Sequence, residues 1–236
     1  MTDDDTTYLF LSGAGLPGWI WDDVRAMLPD RSCSLVGPRP VQSRARIRDH
    51  ADAAVGGLAG TGPVVVIAHS IGGGVAGHVA ARLGDRVRGI VAVSAVMPKP
   101  GRSFLSALPL PQRVITDLVM RLAGTRPPAS AVRAGVAAGL HPDLTERLIA
   151  DMVAESPRLF RDPAAALGAR SARYVITARD RELPVALQRR SARELGAPSL
   201  SLPTGHLPML EAPEAIAAVI SEVEAEWRDH SPRCPT

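Results

Sequence analysis

Short runs of apolar residues alternate along the chain with segments whose apolar positions recur at helical spacing. The runs have no polar positions between the apolar ones, so we interpret them as strands buried on both faces of a parallel sheet. Six strands are predicted, over 8–11, 32–36, 64–67, 87–96, 173–177 and 199–202. Helices are predicted over 20–28, 47–58, 72–83, 185–195 and 213–228. This order predicts an α/β fold, with a mostly parallel sheet of about six strands flanked by helices.

The alternation stops at Pro98-Lys99-Pro100-Gly101. From there to residue 167 only short helical segments are predicted, interrupted by glycine and proline. Helices inserted after a strand of a parallel sheet lie over the carboxyl ends of the strands, where ligands bind in such folds. We therefore predict a helical lid over 101–167, a core formed by 1–100 and 168–228, and a flexible tail at 229–236. The alternative is that the inserted helices pack on one flank of the sheet.

Composition excludes several classes of protein. The 236 residues suffice for one α/β domain with an insertion. Cys33 and Cys234 occupy different settings, a strand start and a polar tail, so neither a disulfide nor a metal site is expected. The net charge is only +3 and the arginines are scattered, which argues against nucleic-acid binding.

Location and assembly are constrained more weakly by the sequence. No apolar stretch approaches the roughly 20 residues of a membrane-spanning helix. The acidic N-terminus, MTDDDTT, argues against a signal peptide, so we expect a cytoplasmic protein without a membrane partner. The abundance of Ala, Arg, Gly and Pro favours a GC-rich bacterial genome. A homodimer is left open.

The segment Pro63–Gly77, PVVVIAHSIGGGVAG, places a serine between a buried strand and a helix. A sharp turn of this kind lifts the hydroxyl of Ser70 above the sheet and requires small residues two positions before and after it. Ala68 and Gly72 meet that requirement. The helix that begins here also favours negative charge near its N-terminus. The segment predicts a nucleophilic serine, and the alternative is a buried serine in an ordinary tight turn.

Two further residues follow strand ends at the same edge of the sheet. Asp180 follows the strand RYVIT, and His206 follows the strand SLSL. A serine hydroxyl is a weak nucleophile until an imidazole takes its proton, so His206 is the candidate base. Asp180 would hold the imidazole tautomer and stabilise the imidazolium. Glu182 and Asp162 are alternatives for the carboxylate, while an isolated Asp or His would more simply cap a helix or face water.

An oxyanion hole needs two backbone N–H groups aimed at the developing negative charge. The amide of Ile71, directly after the serine, is one candidate. The second candidate is Ala14, in the glycine-rich turn Ser12-Gly13-Ala14-Gly15 after the first strand. No pair of histidines has metal-ligand spacing, and no glycine-rich loop matches a phosphate or dinucleotide motif. No cofactor is therefore expected.

With these residues identified, the chain resembles the α/β-hydrolase superfamily over nearly its whole length. Within the superfamily, the segments SGAGLPGWIWDDV, AHSIGGG, SAVMPKPG and GHLPMLEAPEAI are similar to the small methylesterase and hydroxynitrile-lyase branch. The resemblance implies a serine triad of Ser70, Asp180 and His206 in the chain order of that superfamily. It also implies an oxyanion hole at Ala14 and Ile71, and no cofactor.

The sequence departs from the family pattern at several positions. The turn that often begins with His-Gly has Ser12-Gly13, and the usual glycine two residues before the serine is Ala68. The loop Gly37-Pro38-Arg39-Pro40 replaces a common Asp-x-Gly-x-Gly loop, so that rim of the pocket is unusual. Leu207 stands where the cyanohydrin lyases of this branch carry lysine, which counts against lyase activity of that kind. Ser70 argues against epoxide hydrolases and dehalogenases, which need a carboxylate there.

We therefore predict a serine hydrolase that acts on small, apolar carboxylic esters or thioesters through an acyl-enzyme. Its small-molecule substrate would lie between the lid and the sheet edge. The candidate contacts are apolar side chains on both sides, namely Leu16, Met97, Phe104, Phe160, Leu207 and Met209. One alternative is a lyase or cyclase built on the same site, since function resides in the site and not in the fold. Another is a ligand receptor without catalysis.

Overall fold

The computed structural model describes residues 5–29, 33–40, 44–168 and 171–229. Its centre is a six-stranded sheet in which every neighbouring pair is parallel, in the order β2-β1-β3-β4-β5-β6. The strands are β1 (Thr7–Leu11), β2 (Cys33–Val36), β3 (Val64–His69), β4 (Val87–Val93), β5 (Ser171–Thr177) and β6 (Ser199–Leu202). The predicted fold class is confirmed.

Eleven α-helices are present in the described residues. Six belong to the α/β core: α1 (Asp22–Ala26), α2 (Ile47–Gly56), α3 (Gly72–Leu83), α9 (Val185–Leu195), α10 (Pro208–Glu211) and α11 (Pro213–Asp229). Five lie between β4 and β5: α4 (Phe104–Ala107), α5 (Leu110–Ala123), α6 (Ala129–Ala134), α7 (Pro142–Asp151) and α8 (Pro157–Arg161). None of the described helices is both long and apolar enough to cross a membrane.

Alternating residues of the central strands fill two cores, one on each face of the sheet. Tyr8 and Phe10 of β1 pack with Ile67 of β3 and with side chains of α1 and α11 on one face. Leu9 and Leu11 pack on the other face with residues of β3, α2 and α3. Every residue of β3 is buried, which agrees with the continuous apolar run in its sequence.

Two predicted elements are shorter than their apolar patterns indicated. The segment 20–28 forms a single turn of 3₁₀-helix, Gly18–Trp21, followed by the five-residue α1, and Met27 is half exposed instead of buried. β4 ends at Val93 and not at residue 96, because Ser94 adopts a left-handed backbone conformation with φ of 41°. A non-glycine residue there ends the regular strand.

Some predictions fall partly or wholly outside the described residues. Residue 32 of the second predicted strand, Cys234 and the tail from residue 230 onward lie outside them. Asp229 is described and closes α11. The helical content of the segment 101–167, called the insertion below, is observed; its division from the core as a lid remains a prediction.

Candidate active site

The turn at Ser70 joins the carboxyl end of β3 to the N-terminus of α3. Ser70 has a φ of 54°, a left-handed conformation that is rare for a residue with a side chain. The turn is held from both sides, because the N–H of Ser70 donates to Val93 O at 3.4 Å and the N–H of Val96 donates to Ser70 O at 3.0 Å. The last residue of β4 and the segment that follows it therefore brace the strained turn at Ser70.

Glycine is required at the start of α3 because other backbone approaches closely. A Cβ on Gly72 would lie 2.5 Å from the carbonyl oxygen of Leu11, and a Cβ on Gly73 would lie 2.4 Å from that of Val96. Both distances are well inside a normal van der Waals contact. The small residue predicted two positions after Ser70 is therefore dictated by the packing of α3 against the ends of β1 and β4.

His206 and Asp180 meet at the carboxyl edge of the sheet. His206 Nδ1 lies 2.8 Å from Asp180 Oδ2, and both side chains are almost completely buried. A proton on Nδ1 directed at the carboxylate leaves Nε2 without a proton and able to act as a base. The structure thus joins His206 to Asp180, and not to Glu182 or Asp162, which the sequence left open.

The carboxylate of Asp180 accepts hydrogen bonds from side chains that the sequence did not single out. Ser94 Oγ donates to Oδ2 at 2.5 Å, Thr177 Oγ1 at 2.9 Å and Gln188 Nε2 at 3.3 Å. Burial by itself would raise the pKa of Asp180, but the hydrogen bonds from His206 and Ser94 and the charge of His206 hold it well below the usual range. Asp180 is therefore ionised at neutral pH and well into the acidic range.

Ser94 lies one residue beyond the end of β4 and is fully buried. Its Oγ lies 3.4 Å from His206 Nδ1 as well as contacting the carboxylate, so it stands beside the His206–Asp180 hydrogen bond rather than in the cavity. The one signal in the sequence is a polar residue inside the apolar run predicted as a strand over 87–96. A buried serine of that kind can find its hydrogen-bond partner on the backbone, so the signal does not identify it as a partner of Asp180.

A cavity of about 330 Å³ connects the sheet edge with the insertion. Ala14, Ser70 and His206 line it from the core side. The insertion contributes mostly apolar side chains, among them Phe104, Leu108, Ile115, Val119, Met120 and Phe160. In the described residues no hydrogen bond joins the hydroxyl of Ser70 to His206, although both side chains face this one cavity. The three residues predicted to act together are thus placed at one site.

The turn after β1 lies against the Ser70 turn. A Cβ on Gly13 would lie 3.1 Å from Ser70 Cβ and 3.0 Å from His69 Nδ1, so the two turns are in close contact. Within the described part of the chain, the backbone N–H groups of Ala14 and Ile71 donate no hydrogen bond. Two free donors beside a serine hydroxyl are the elements from which an oxyanion hole is built.

Three of the six predicted substrate contacts line the cavity and three do not. Leu16, Phe104 and Phe160 line it. Leu207 and Met209 are fully buried in the core on the α11 face and do not line the cavity. Met97 does not line it either; this side chain is buried, and its N–H donates to Ser191 Oγ.

Two residues near the site have shifted titration behaviour. His69 is fully buried between the rings of Trp21 and His206, its Nε2 lies 2.9 Å from His206 O, and burial lowers its pKa to about 3. Glu182 lines the cavity, and burial raises its pKa.

Among the described residues, no cluster of three or more His, Cys, Asp or Glu side chains is arranged to hold a metal ion.

Comparison with known proteins identifies the fold family. The model of the alpha/beta hydrolase family matches residues 8–219. A comparison with curated protein sequences gives no match. Among solved structures, an extracellular alpha/beta-hydrolase from a Paenibacillus species is 17% identical, with a TM-score of 0.76 over 93% of this chain and 98% of that one.

Two further solved structures have a similar fold at similarly low sequence identity. A pyrethroid hydrolase from Sphingobium faniae JZ-2 is 22% identical, with a TM-score of 0.71 over 94% of this chain and 98% of its own. A thermophilic esterase from Thermogutta terrifontis is 21% identical, with a TM-score of 0.72 over 95% of this chain and 91% of its own. At these identities the likeness establishes the fold, which extends over nearly the whole of each chain.

Proposed function

Because this chain belongs to the alpha/beta hydrolase family, we propose that it is a serine hydrolase that uses Ser70, His206 and Asp180 as its triad. The observation that carries the proposal is the cavity that both Ser70 and His206 line, with His206 Nδ1 2.8 Å from the buried Asp180 carboxylate. Hydrogen bonds between a nucleophile and its base are often long without substrate and shorten in the complex. The absent contact between Ser70 and His206 is compatible with this role.

The proposed reaction proceeds through an acyl-enzyme. Ser70 Oγ attacks the ester carbonyl carbon while His206 Nε2 takes the hydroxyl proton. The carbonyl oxygen becomes negative and accepts hydrogen bonds from the N–H groups of Ala14 and Ile71. The C–O bond to the alcohol breaks as His206 returns the proton to the leaving oxygen. A water molecule then repeats these steps on the acyl-enzyme and releases the acid.

We propose small, apolar carboxylic esters or thioesters as substrates. The cavity volume of about 330 Å³ is at the lower end of the range for small-molecule sites, and the insertion lines it with aliphatic and phenylalanine side chains. The solved structures similar in fold include proteins described as an esterase and as a pyrethroid hydrolase, and this agrees with ester chemistry. With p-nitrophenyl esters, kcat/KM should rise about fourfold for each methylene added to the acyl group until the cavity is full.

Replacing Ser70 and Ser94 separately tests which serine is the nucleophile. Ser70→Ala should lower kcat for p-nitrophenyl butyrate at least about a thousandfold with the fold intact. Ser94→Ala removes a buried hydroxyl that supports Asp180 but does not line the cavity, so it should retain activity within about tenfold. Near-normal turnover by Ser70→Ala would refute the acyl-enzyme mechanism. Incorporation of labelled solvent oxygen into the acid separates hydrolysis from lyase or cyclase chemistry.

A further inference from the structure

A second cavity, of about 370 Å³, lies on the other side of the turn that follows β1. Leu16 lines both cavities, whereas Ser70, His206 and Ala14 line only the first. The wall of the second cavity combines apolar side chains, among them Leu11, Val36, Val75 and Leu159, with polar groups that occupy about as much of the lining. The two cavities are therefore separate spaces that share one side chain as a partition.

Three titratable side chains from distant parts of the chain meet at the second cavity. Arg39 comes from the unusual loop after β2, His50 from α2 and Glu155 from the insertion. Arg39 Nε lies 2.7 Å from Glu155 Oε1, and the Glu155 side chain is only 8% exposed. Arg39 also donates a hydrogen bond to the carbonyl oxygen of Leu16. The guanidinium charge and the carboxylate charge thus offset each other within the cavity wall.

One side of this cluster is left without hydrogen bonds. Glu155 Oε1 accepts from Arg39 and, at 3.2 Å, from the N–H of Gly15. Among the described residues Glu155 Oε2 accepts no hydrogen bond, and its distance to His50 Nε2, 3.7 Å, is too long for one. His50 Nε2 is buried and has no hydrogen-bond partner among the described residues. Leaving such groups unsatisfied opposes folding, so the pair favours a ligand that supplies the missing contacts.

The two atoms require a group that both donates and accepts. Burial lowers the pKa of His50, which keeps the imidazole neutral. With its proton on Nε2, the ring donates toward the cavity, while Glu155 Oε2 can only accept. A hydroxyl satisfies both, because its oxygen accepts from Nε2–H and its proton is donated to Oε2. A charged group would add an unpaired charge beside an ion pair that is already balanced.

We propose that this second cavity is a binding site for a small, neutral molecule that carries a hydroxyl group on a short hydrocarbon part. The hydroxyl bridges His50 Nε2 and Glu155 Oε2, and the hydrocarbon part contacts the aliphatic wall, including Val36 and Leu159. The occupant is distinct from the ester attacked at Ser70, because Leu16 and the turn after β1 lie between the two spaces. The site stands independently of the proposed hydrolase activity.

Calorimetric titration of the whole protein with two matched probes tests the hydroxyl requirement. Cyclohexanol can both donate and accept, whereas cyclohexyl methyl ether can only accept. Cyclohexanol should bind at least about tenfold more tightly than the ether, since the ether leaves Glu155 Oε2 unpaired and adds a methyl group beside it. Equal affinity of the two probes would overturn the proposal.

Substitutions in the two cavities test which of them binds cyclohexanol. His50→Phe keeps a ring but removes the donor, and Val36→Trp fills the cavity from the edge strand; each should weaken cyclohexanol binding about tenfold or more. The matched control is Ile115→Trp, which narrows the Ser70 cavity alone and should leave the affinity unchanged. Loss of binding in the control but not in the other two would place the alcohol in the Ser70 cavity and refute the site. If water alone fills the space, cyclohexanol affinity will not respond to His50→Phe.

Discussion

At the scale of single residues, Asp180 is the most constrained group of the site. Four groups donate to its Oδ2, and two backbone N–H groups donate to its Oδ1. The donors are His206, Ser94, Thr177 and Gln188 on one oxygen and the amides of Glu182 and Leu183 on the other. With both oxygens fixed, the carboxylate has one orientation available, and this holds the His206 ring in place.

Buried His69 makes the stability of the fold depend on pH. Its pKa is lowered to about 3 by burial, with the nearby His206 adding to the effect, whereas the unfolded value is near 6.5. As pH falls below about 6.5, the unfolded chain binds a proton that the folded His69 does not, so stability decreases. The decrease should continue down to about pH 3.

The prediction is that His69→Asn weakens this dependence. Between pH 6.5 and 5 one such group removes roughly 2 kcal/mol from the free energy of unfolding, and the variant should lose about that much less than wild type. Urea unfolding at both pH values measures the difference. His50, whose pKa is also lowered by burial, acts in the same direction and remains in both proteins. Equal losses of unfolding free energy in wild type and variant would show that His69 is not responsible for the pH dependence.

At the scale of elements, the close packing of α3 against β1 and β4 shapes the turn at Ser70. Gly72→Ala should destabilise the protein by about 2 kcal/mol or more, because the added Cβ meets the backbone oxygen of Leu11 at 2.5 Å. Gly74→Ala, two residues later in the same helix, meets the flexible end of Ile47 at 3.2 Å and Pro98 Cγ at an ordinary contact distance of 3.9 Å. It should be within about 1 kcal/mol of wild type, since alanine also favours the helix.

Thermal or urea unfolding of the two alanine variants provides the comparison. Equal destabilisation by both variants would mean that Gly72 is needed for the backbone conformation of α3, and not for the close contact of this helix with β1.

Secondary-structure elements could be predicted well from the sequence where all their residues are buried. Elements that are only partly buried were predicted less well. β3 was predictable because its residues before His69 are all apolar and the whole strand is buried on both faces. The spacing of Val114, Leu118 and Leu122 is typical of one buried helix face, and α5 is present, but these side chains are more than half exposed. Helical spacing identifies a helix, whereas the direction of its apolar face depends on the tertiary fold.

The same distinction applies to the site. Ser70, Asp180 and His206 could be selected because each follows a strand, and parallel strands end at one edge of a sheet. Ser94, Thr177 and Gln188 could not, because no local pattern shows which polar side chains will point at a carboxylate. Leu207 and Met209 could not be assigned to core or cavity from the sequence, because an apolar residue beside a candidate catalytic position fits either; the structure places both in the core.

At the scale of the whole molecule, the insertion is tied to the turn after β1 through its backbone and one carboxylate. The N–H of Val153 donates to Gly15 O at 3.1 Å, and Glu155 Oε1 accepts from the N–H of Gly15. A Cβ on Gly15 would lie 2.3 Å from Val153 O, so the contact requires glycine. Arg39 joins the same carboxylate from the core side and links the loop after β2 to the insertion.

Substitution of the Arg39–Glu155 pair tests this link. Glu155→Gln should destabilise the protein by about 2–3 kcal/mol, because it leaves the guanidinium partly buried without its counter-charge. Arg39→Gln combined with Glu155→Gln should be less destabilising than the sum of the single changes by roughly 1 kcal/mol, since the Arg39 side chain is 30% exposed and partly screened. A double-mutant cycle in urea measures this coupling, and strict additivity would show that the pair does not join the two parts.

The claim that Ser70 is the nucleophile is tested most directly by reaction with a fluorophosphonate, followed by mass spectrometry of the digested protein. We expect a single phosphonyl group on the peptide that contains Ser70, with esterase activity lost in proportion to labelling and no labelling of Ser70→Ala. Labelling at another residue, or full ester turnover by protein whose Ser70 is completely labelled, would contradict it.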